Sequence, residues 1–367
     1  MSDNYFKEEE IKIKEDKRSD ATPTQGSEQA VGVRDDLDNF DLALRPKRWD
    51  DYIGQEKVKN NLKIIIEAAK RREEPVDHLL FHGQAGLGKT TLAGLVASEM
   101  GAGIRITSGP TLKKVGDLAA IISNLEPGEV LFIDEAHRLN RMVEEFLYPA
   151  MESRKLHLIL GKGAGAKTIT LDLPPFTLVA ATTRADLLSS PLRSRFGASF
   201  KLDYYRHEDI KEIIKRSAKL LETKVDEGAM EILAAASRAT PRIANRLLKR
   251  ARDYAQVKGN GEINEETAGK TLNLLEVDAL GLEPHDRKVI EVIAEKFNGG
   301  PVGIETLAAA LNEERGVLEE VSEPYLMSVG FLQRTPAGRV ATEAAYKHLG
   351  IKTREQKLLE ESGFGEG

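Results

Sequence analysis

Nine residues, Gly83 to Thr91, read G-Q-A-G-L-G-K-T-T and hold the residue types needed to seat a nucleoside triphosphate. Glycines at 83, 86 and 88 let backbone N–H groups turn inward around phosphate oxygens. Lys89 adds a full positive charge, and Thr90 offers a hydroxyl to Mg2+. A second chemical cluster lies about 45 residues on, where the apolar run Val130-Leu131-Phe132-Ile133 ends in Asp134 and Glu135. Asp134 is expected to hold the Mg2+ shell and Glu135 to orient the attacking water. His137 is expected to be a structural histidine. A third strand-like run, T-L-V-A-A-T-T, ends in hydroxyls at Thr182 and Thr183 that can reach a γ-phosphate or the water. Arg193 and Arg195 follow in a proline-led segment. They read as surface residues unless a subunit interface offers one of them to a neighbour's phosphate.

These residues need elements to position them. His78 to Phe81 reads as a buried strand leading into the glycine loop, and Leu92 to Met100 as the helix leaving it. Val130 to Ile133, apolar on both faces, requires a sheet covered on both sides. The acidic pair then falls at the carboxyl edge, where open α/β folds bind ligands. Before the loop, Leu44, Arg45, Tyr52 and Ile53 either wall an adenine or simply pack. After it, from Glu208 to Leu275, strands stop and four stretches show helical spacing, predicting a small four-helix domain. Pro241 opens one of these helices, with Arg242 emerging at its start. The last part reads as three helices and a two-stranded hairpin around T-P-A-G, a winged helix. Its third helix carries Glu319, Glu320 and Glu323, which repel phosphate, so Arg334 and Arg339 on the hairpin are the expected DNA contacts. Residues 156 to 171 form an apolar hairpin with Leu156, Leu158, Leu160, Ile169 and Leu171 on one face and Ile159 on the other. It needs cover, from its own core or from a partner.

Composition bounds the rest. The chain has 367 residues, 41% of them hydrophobic, enough for two or three domains. It lacks cysteine, which excludes disulfides and thiolate metal sites. No apolar run is long enough to span a bilayer, and the acidic start is unlike a targeting signal, so a cytoplasmic protein is expected. The net charge of −6 resides in the ends, about −5 in residues 1 to 40 and −1 in residues 351 to 367. The body is neutral, and overall acidity is therefore no argument against nucleic acid.

In this order the pieces resemble the AAA+ ATPases, and within them the RuvB family of Holliday-junction branch-migration motors. The segments that carry the likeness are D-Y-I-G-Q-E, D-E-A-H-R-L, V-E-E-F-L-Y-P-A-M-E, L-P-P-F-T-L-V-A-A-T-T-R-A, S-S-P-L-R-S-R-F-G, T-P-R-I-A-N-R and G-F-L-Q-R-T-P-A-G-R, spread from Leu44 to Leu349. The resemblance implies an α/β protein: a tail over 1–40, an AAA+ P-loop parallel-sheet domain over 41–205, and a small helical lid over 206–275. A winged helix over 276–350 and a tail over 351–367 complete it. It implies that ATP is bound by Leu44, Arg45, Gly86, Gly88, Lys89, Thr90, Thr91, Tyr205 and Arg242, with Mg2+ on Thr90 and Asp134. Glu135, Thr183 as first sensor and Arg195 as a finger acting on the neighbouring subunit complete the catalytic set, and Arg242 is the second sensor. Arg334 and Arg339 belong to a DNA-contacting wing. The hairpin residues Leu158, Ile159 and Leu160 dock a RuvA-type junction-binding partner. A homohexamer on duplex DNA or a four-way junction follows, with a junction resolvase as a further partner and no membrane. Two departures stand out: Gln84-Ala85 where the family has a Pro-Pro pair, and Ser153-Arg154 where an acidic pattern is usual.

Overall fold

The computed structural model describes residues 42–160 and 167–352, so the expected tails lie largely outside the described residues. Five strands, β1 (Leu79–His82), β2 (Ile104–Ser108), β3 (Val130–Asp134), β6 (Thr177–Thr182) and β7 (Ala198–Lys201), form one sheet in the order β2-β3-β6-β1-β7. Every pairing in it is parallel. Central strands bury both faces, as their unbroken apolar runs require. Leu79, Phe81, Val130, Phe132, Val179 and Ala181 point to one side, against Leu62 and Ile66 of the helix Glu56–Arg72 and Leu92 and Val96 of the helix Lys89–Glu99. Their neighbours Leu80, Leu131, Ile133, Leu178 and Ala180 point to the other, against Leu118, Ile122, Val143 and Leu147. The two-residue period of a strand thus builds two cores on one sheet.

The first of these cores runs on into four helices, His207–Leu220, Glu227–Ala235, Pro241–Lys258 and Glu265–Leu274, through Ile210, Ile214, Leu233, Leu247 and Leu248. A third core, around Val289, Ile293, Leu307, Leu326 and Leu332, belongs to the helices Pro284–Lys296 and Ile304–Leu311, a broken third helix and the hairpin β8 (Leu332–Thr335) and β9 (Gly338–Ala341). The third helix passes from Arg315–Val317 through a π-helical turn, Leu318–Ser322, into Glu323–Ser328. Pro324, which has no N–H to donate, enters just after that turn.

Between the helical part and the winged helix lies a buried ion pair, Arg238 Nη1 to Asp286 Oδ2 at 3.0 Å, with the guanidinium 4.3 Å over the Tyr325 ring. Breaking such a pair by removing one partner costs about 3–5 kcal/mol, whereas an exposed pair contributes about 0–1 kcal/mol.

A separate antiparallel hairpin, β4 (Lys155–Leu160) with β5 (Lys167–Asp172), pairs Leu156 with Leu171 and Leu158 with Ile169. That register places Leu156, Leu158, Ile169 and Leu171 on one face, as the alternation predicts. The side chains of Ile159 and Leu160 lie outside the described residues.

Candidate nucleotide site and its arginines

The glycine loop joins β1 to the helix Lys89–Glu99 at the carboxyl edge of the sheet. Gly88 takes the N-cap position with φ 97°, and no side chain caps the helix, so its first N–H groups stay available to an anion. A Cβ on Gly88 would stand 2.8 Å from Tyr52 Oη, so glycine is required there twice over. Lys89 Nζ donates to the carbonyls of Gly83 (2.7 Å) and Gln84 (2.8 Å). The departure at Gln84 therefore leaves intact a backbone contact that any residue supplies. Burial pushes the Lys89 ammonium down to about 8, with Asp134 opposing the fall and Arg242 adding to it. Those influences place Asp134 and Arg242 beside the lysine, and Gly86 packs directly against the Arg242 side chain. Thr90 and Thr91 follow on the first turn of the helix, both partly exposed.

Tyr205 closes one wall. Its hydroxyl donates to Tyr52 Oη (3.1 Å) and lies 3.2 Å from the Leu87 carbonyl, and its backbone N–H donates to Ala239 in the turn before Arg242. Burial holds the Tyr205 phenol up at about 12, so it serves as a neutral hydrogen-bonding group. Leu44 is buried and its carbonyl accepts from Arg216, a contact between residues 172 positions apart, while Arg45 is partly exposed.

Asp134 ends β3, and its Oδ1 accepts from the Glu135 N–H at 2.9 Å. Glu135 adopts a left-handed backbone, φ 47°, which costs a non-glycine residue about 1–3 kcal/mol and marks a constrained turn. Its carboxylate is exposed and paired with Arg138. The next strand, β6, splits the two threonines: Thr182 is buried, 2.9 Å from His137 Nδ1, whereas Thr183 is partly exposed beyond the strand end. A purely structural His137 would have both ring nitrogens satisfied, yet its Nε2 is buried without a partner among the described residues. Burial holds its imidazole below the usual range, against the pull of Glu320 and Glu135.

Arg195 sits at the other end of the sheet. Gly197, two residues on, donates to the His78 carbonyl at the start of β1, while Gly83, beyond the end of β1, donates to Thr182. Four strand residues, about 13 Å, separate those ends. The Arg195 guanidinium is held by Glu152 (2.9 Å) and the Pro191 carbonyl (2.7 Å) and lies 4.3 Å over the Tyr148 ring.

The wing gives its two arginines different settings. Arg334 and Arg339 are cross-strand partners, and Arg334 is exposed, but Arg339 is buried, its Nε donating to Glu323 at 2.6 Å. Arg339 is thus held within the winged helix by Glu323. Nor is the third helix the bare acidic surface its composition suggests. Glu323 is neutralised by Arg339, and Glu319 is approached by Arg315 (3.1 Å), Arg334 (3.2 Å), Arg339 (3.5 Å) and Arg184 (3.8 Å), leaving Glu320 exposed. Arg184 and Arg238, which sequence reading passed over, emerge here as contacts between parts of the chain. Only their positions, one after Thr183 and four before Arg242, could have drawn attention to them.

Three family descriptions match in succession. Residues 44–202 match the Holliday junction DNA helicase RuvB P-loop domain, residues 205–278 the RuvB AAA lid domain, and residues 279–350 the RuvB C-terminal winged helix domain. The chain belongs to the RuvB family. Among solved structures it is similar to the one described as the Thermotoga maritima RuvB Holliday junction branch migration motor. The identity is 51%, covering 85% of this chain and 99% of that one, with a TM-score of 0.78. A proline-to-glycine variant of T. maritima RuvB matches at 51% identity over 84% of this chain and 99% of that one, TM-score 0.79. An arginine-to-alanine variant matches over the same shares at the same identity, TM-score 0.77. As a RuvB-family P-loop ATPase, the chain binds nucleotide at the loop described above. Among its described residues no helix is long and apolar enough to cross a membrane.

Proposed function

We propose that this chain is the motor subunit that drives branch migration of Holliday junctions, using ATP hydrolysis to move duplex DNA through a homohexameric ring. The observation that carries the assembly is the position of Arg195, at the opposite edge of the sheet from its own P-loop. A guanidinium placed there serves a phosphate only in an adjoining subunit. Within each site, Lys89 and the Gly86–Thr91 backbone hold phosphates, Glu135 aligns water, and Thr183 and Arg242 report the γ-phosphate from the sheet and from the lid. Leu44, Arg45 and Tyr205 bound the base side.

The fit to Mg2+ rests on donor chemistry. Asp134 and Thr90 present hard oxygens beside Lys89, and Mg2+ takes one or two protein oxygens with substrate phosphates and water. Bound there, the ion would neutralise charge on the phosphates. The protein residues position and polarise the reactants around it.

Arg334, exposed on the wing, is the DNA contact. The hairpin is a docking surface for a RuvA-type junction-binding protein: Leu156 is buried at its base, but Ile169 and Leu171 remain 42% and 36% exposed, so its own fold does not cover them. A clamp-loader-like switch would use the same ATPase, but a winged helix at the end of the chain gives this one its own duplex-binding module. The test is dissociation of a synthetic four-way junction in a gel assay, with ATP, with and without the RuvA-type partner. ATP-dependent dissociation stimulated by the partner is expected. ATP hydrolysis with no dissociation in either arm would favour the switch.

A further inference from the structure

Among the described residues, two of the contacts that attach the winged helix to the rest of the body differ in strength and lie each beside a candidate nucleotide sensor, and a further pair, Arg246 with Glu283, ties it to the lid. On the lid side, Arg238 is fixed to Asp286 by two hydrogen bonds and covered by Tyr325, with both charged side chains under 10% exposed. Arg238 and Ala239 form a left-handed turn whose Ala239 carbonyl accepts from Tyr205, and Arg242 follows on the helix that the turn leads into. On the sheet side, Arg184, directly after Thr183, approaches Glu319 of the π-helical turn at 3.8 Å with 29% of its side chain exposed. A pair at that distance, beyond hydrogen-bond reach and with its arginine partly exposed, yields before a buried bidentate one. When lid and sheet shift against each other around a nucleotide, the winged helix therefore travels with the lid, and the contact that opens is Arg184–Glu319.

Opening it changes what Glu319 does. The Oε1 atom already accepts Arg315 and Arg334 and lies 3.5 Å from Arg339, leaving Oε2 to Arg184. The single negative charge of Glu319 is shared among these guanidinium groups, which repel one another, so the approach of Arg184, itself hydrogen-bonded to Asp186, weakens the hold on Arg334. Arg339 does not enter this competition because Glu323 holds it.

We propose that Glu319 is a shared latch for which Arg184 of the sensor strand and Arg334 of the wing compete, so that the nucleotide-set position of the sensor strand governs how freely Arg334 reaches a DNA phosphate. With Arg184 engaged, Glu319 holds Arg334 weakly and the wing is available. With Arg184 withdrawn, Arg334 folds back onto Glu319. Glu319 is a positioning residue that touches neither nucleotide nor DNA. The latch deepens the assignment of Arg334 as the DNA contact and rests on it.

Two measurements on the full chain separate the latch from that assignment. The first is duplex affinity by fluorescence anisotropy with ADP and with a non-hydrolysable ATP analogue. Wild type should show affinities that differ by at least about fivefold between the two nucleotides, the low end for coupled sites. Glu319→Gln should bring the ratio close to one by strengthening the weaker state. Arg184→Ala should bring it close to one by weakening the stronger state. Glu305→Gln removes an equal charge, one that pairs with Arg315 and not with Arg334, and should keep the wild-type ratio. Opposite signs for Glu319→Gln and Arg184→Ala are what a merely structural contact would not produce. The second measurement needs no DNA: spin labels at Leu187→Cys and Val321→Cys, exposed positions either side of the contact in a chain without cysteine, report its opening by pulsed EPR. Distance distributions that differ between ADP and the analogue are expected. Identical distributions, or a ratio unchanged in Glu319→Gln, would overturn the latch. Unaltered DNA binding in Arg334→Ala would instead overturn the wing assignment.

Discussion

Lys89 Nζ lies 2.7 Å from the carbonyl of Gly83, six residues before it, so the P-loop is closed on its own ammonium. Burial has already lowered that ammonium to about 8. Between about pH 8 and the ordinary lysine value of 10.5, the unfolded chain retains a proton that the folded chain has released. Stability therefore rises with pH across that window, and the gain is lost as pH falls through the folded value. The full shift corresponds to at most about 3 kcal/mol. Lys89→Met should remove this rise, along with nucleotide binding. Denaturant unfolding at pH 7 to 10.5 checks it; parallel curves for wild type and Lys89→Met would contradict the burial argument.

Arg195 is held by Glu152 and by the Tyr148 ring at one edge of the sheet, the position from which the proposed ring offers it to a neighbour. Arg195→Ala should lower ATP turnover by about 10³-fold, the lower end for arginine fingers, while each subunit still binds nucleotide. Titrated into wild type, it should depress turnover faster than dilution predicts. Loss strictly proportional to the mutant fraction would make Arg195 a residue of its own subunit.

Gly109 is absent from every motif, yet a Cβ there would stand 2.4 Å from the Glu135 carbonyl. The left-handed turn at Glu135 leaves its backbone little room to withdraw. Gly109→Ala should destabilise the protein by about 1–3 kcal/mol, as overpacking does, and displace Glu135 from the position proposed for aligning water. The expected signature is a fall in kcat with nucleotide affinity kept, measured by steady-state turnover beside equilibrium binding. A fall in affinity alone would place the damage in the P-loop instead.

What could be read from residue order was whatever depends on short spacing. Strand alternation put Leu156, Leu158, Ile169 and Leu171 on one face of the hairpin, and the register of β4 with β5 keeps them there. Helical spacing and Pro241 placed the helix that carries Arg242. The glycine-lysine loop required a strand and a helix, and β1 and Lys89–Glu99 supply them. Contacts that join distant parts of the chain were not legible. Nothing in the spacing tells that Leu44 meets Arg216, or that Arg238 meets Asp286, because such pairs are decided by how finished elements pack. The different settings of Arg334 and Arg339 have the same root. Alternation shows that Arg334 and Arg339 share a face of the hairpin, but which of them is covered depends on where Glu323 is carried by a helix formed earlier in the chain.

Arg334 and Arg339, directly opposite on the two strands of the wing, should for that reason respond in different ways to the same substitution. Arg334 is exposed and can exchange Glu319 for a phosphate. Removing one arginine–phosphate interaction lowers the slope of log affinity against log salt by about 0.9 on duplex DNA. Arg334→Ala should show that change equally on two duplexes of different composition, with nucleotide affinity and unfolding midpoint unaltered, because a phosphate contact carries no base information. Arg339→Ala leaves Glu323 buried with no partner and should destabilise the winged helix by about 3–5 kcal/mol. Its loss of DNA binding should track the unfolded fraction and recover at low temperature, where Arg334→Ala remains impaired. Salt titrations on both duplexes, together with thermal unfolding of each variant, make the comparison. An Arg339→Ala protein that is fully folded but has a reduced salt slope would return that arginine to the DNA surface.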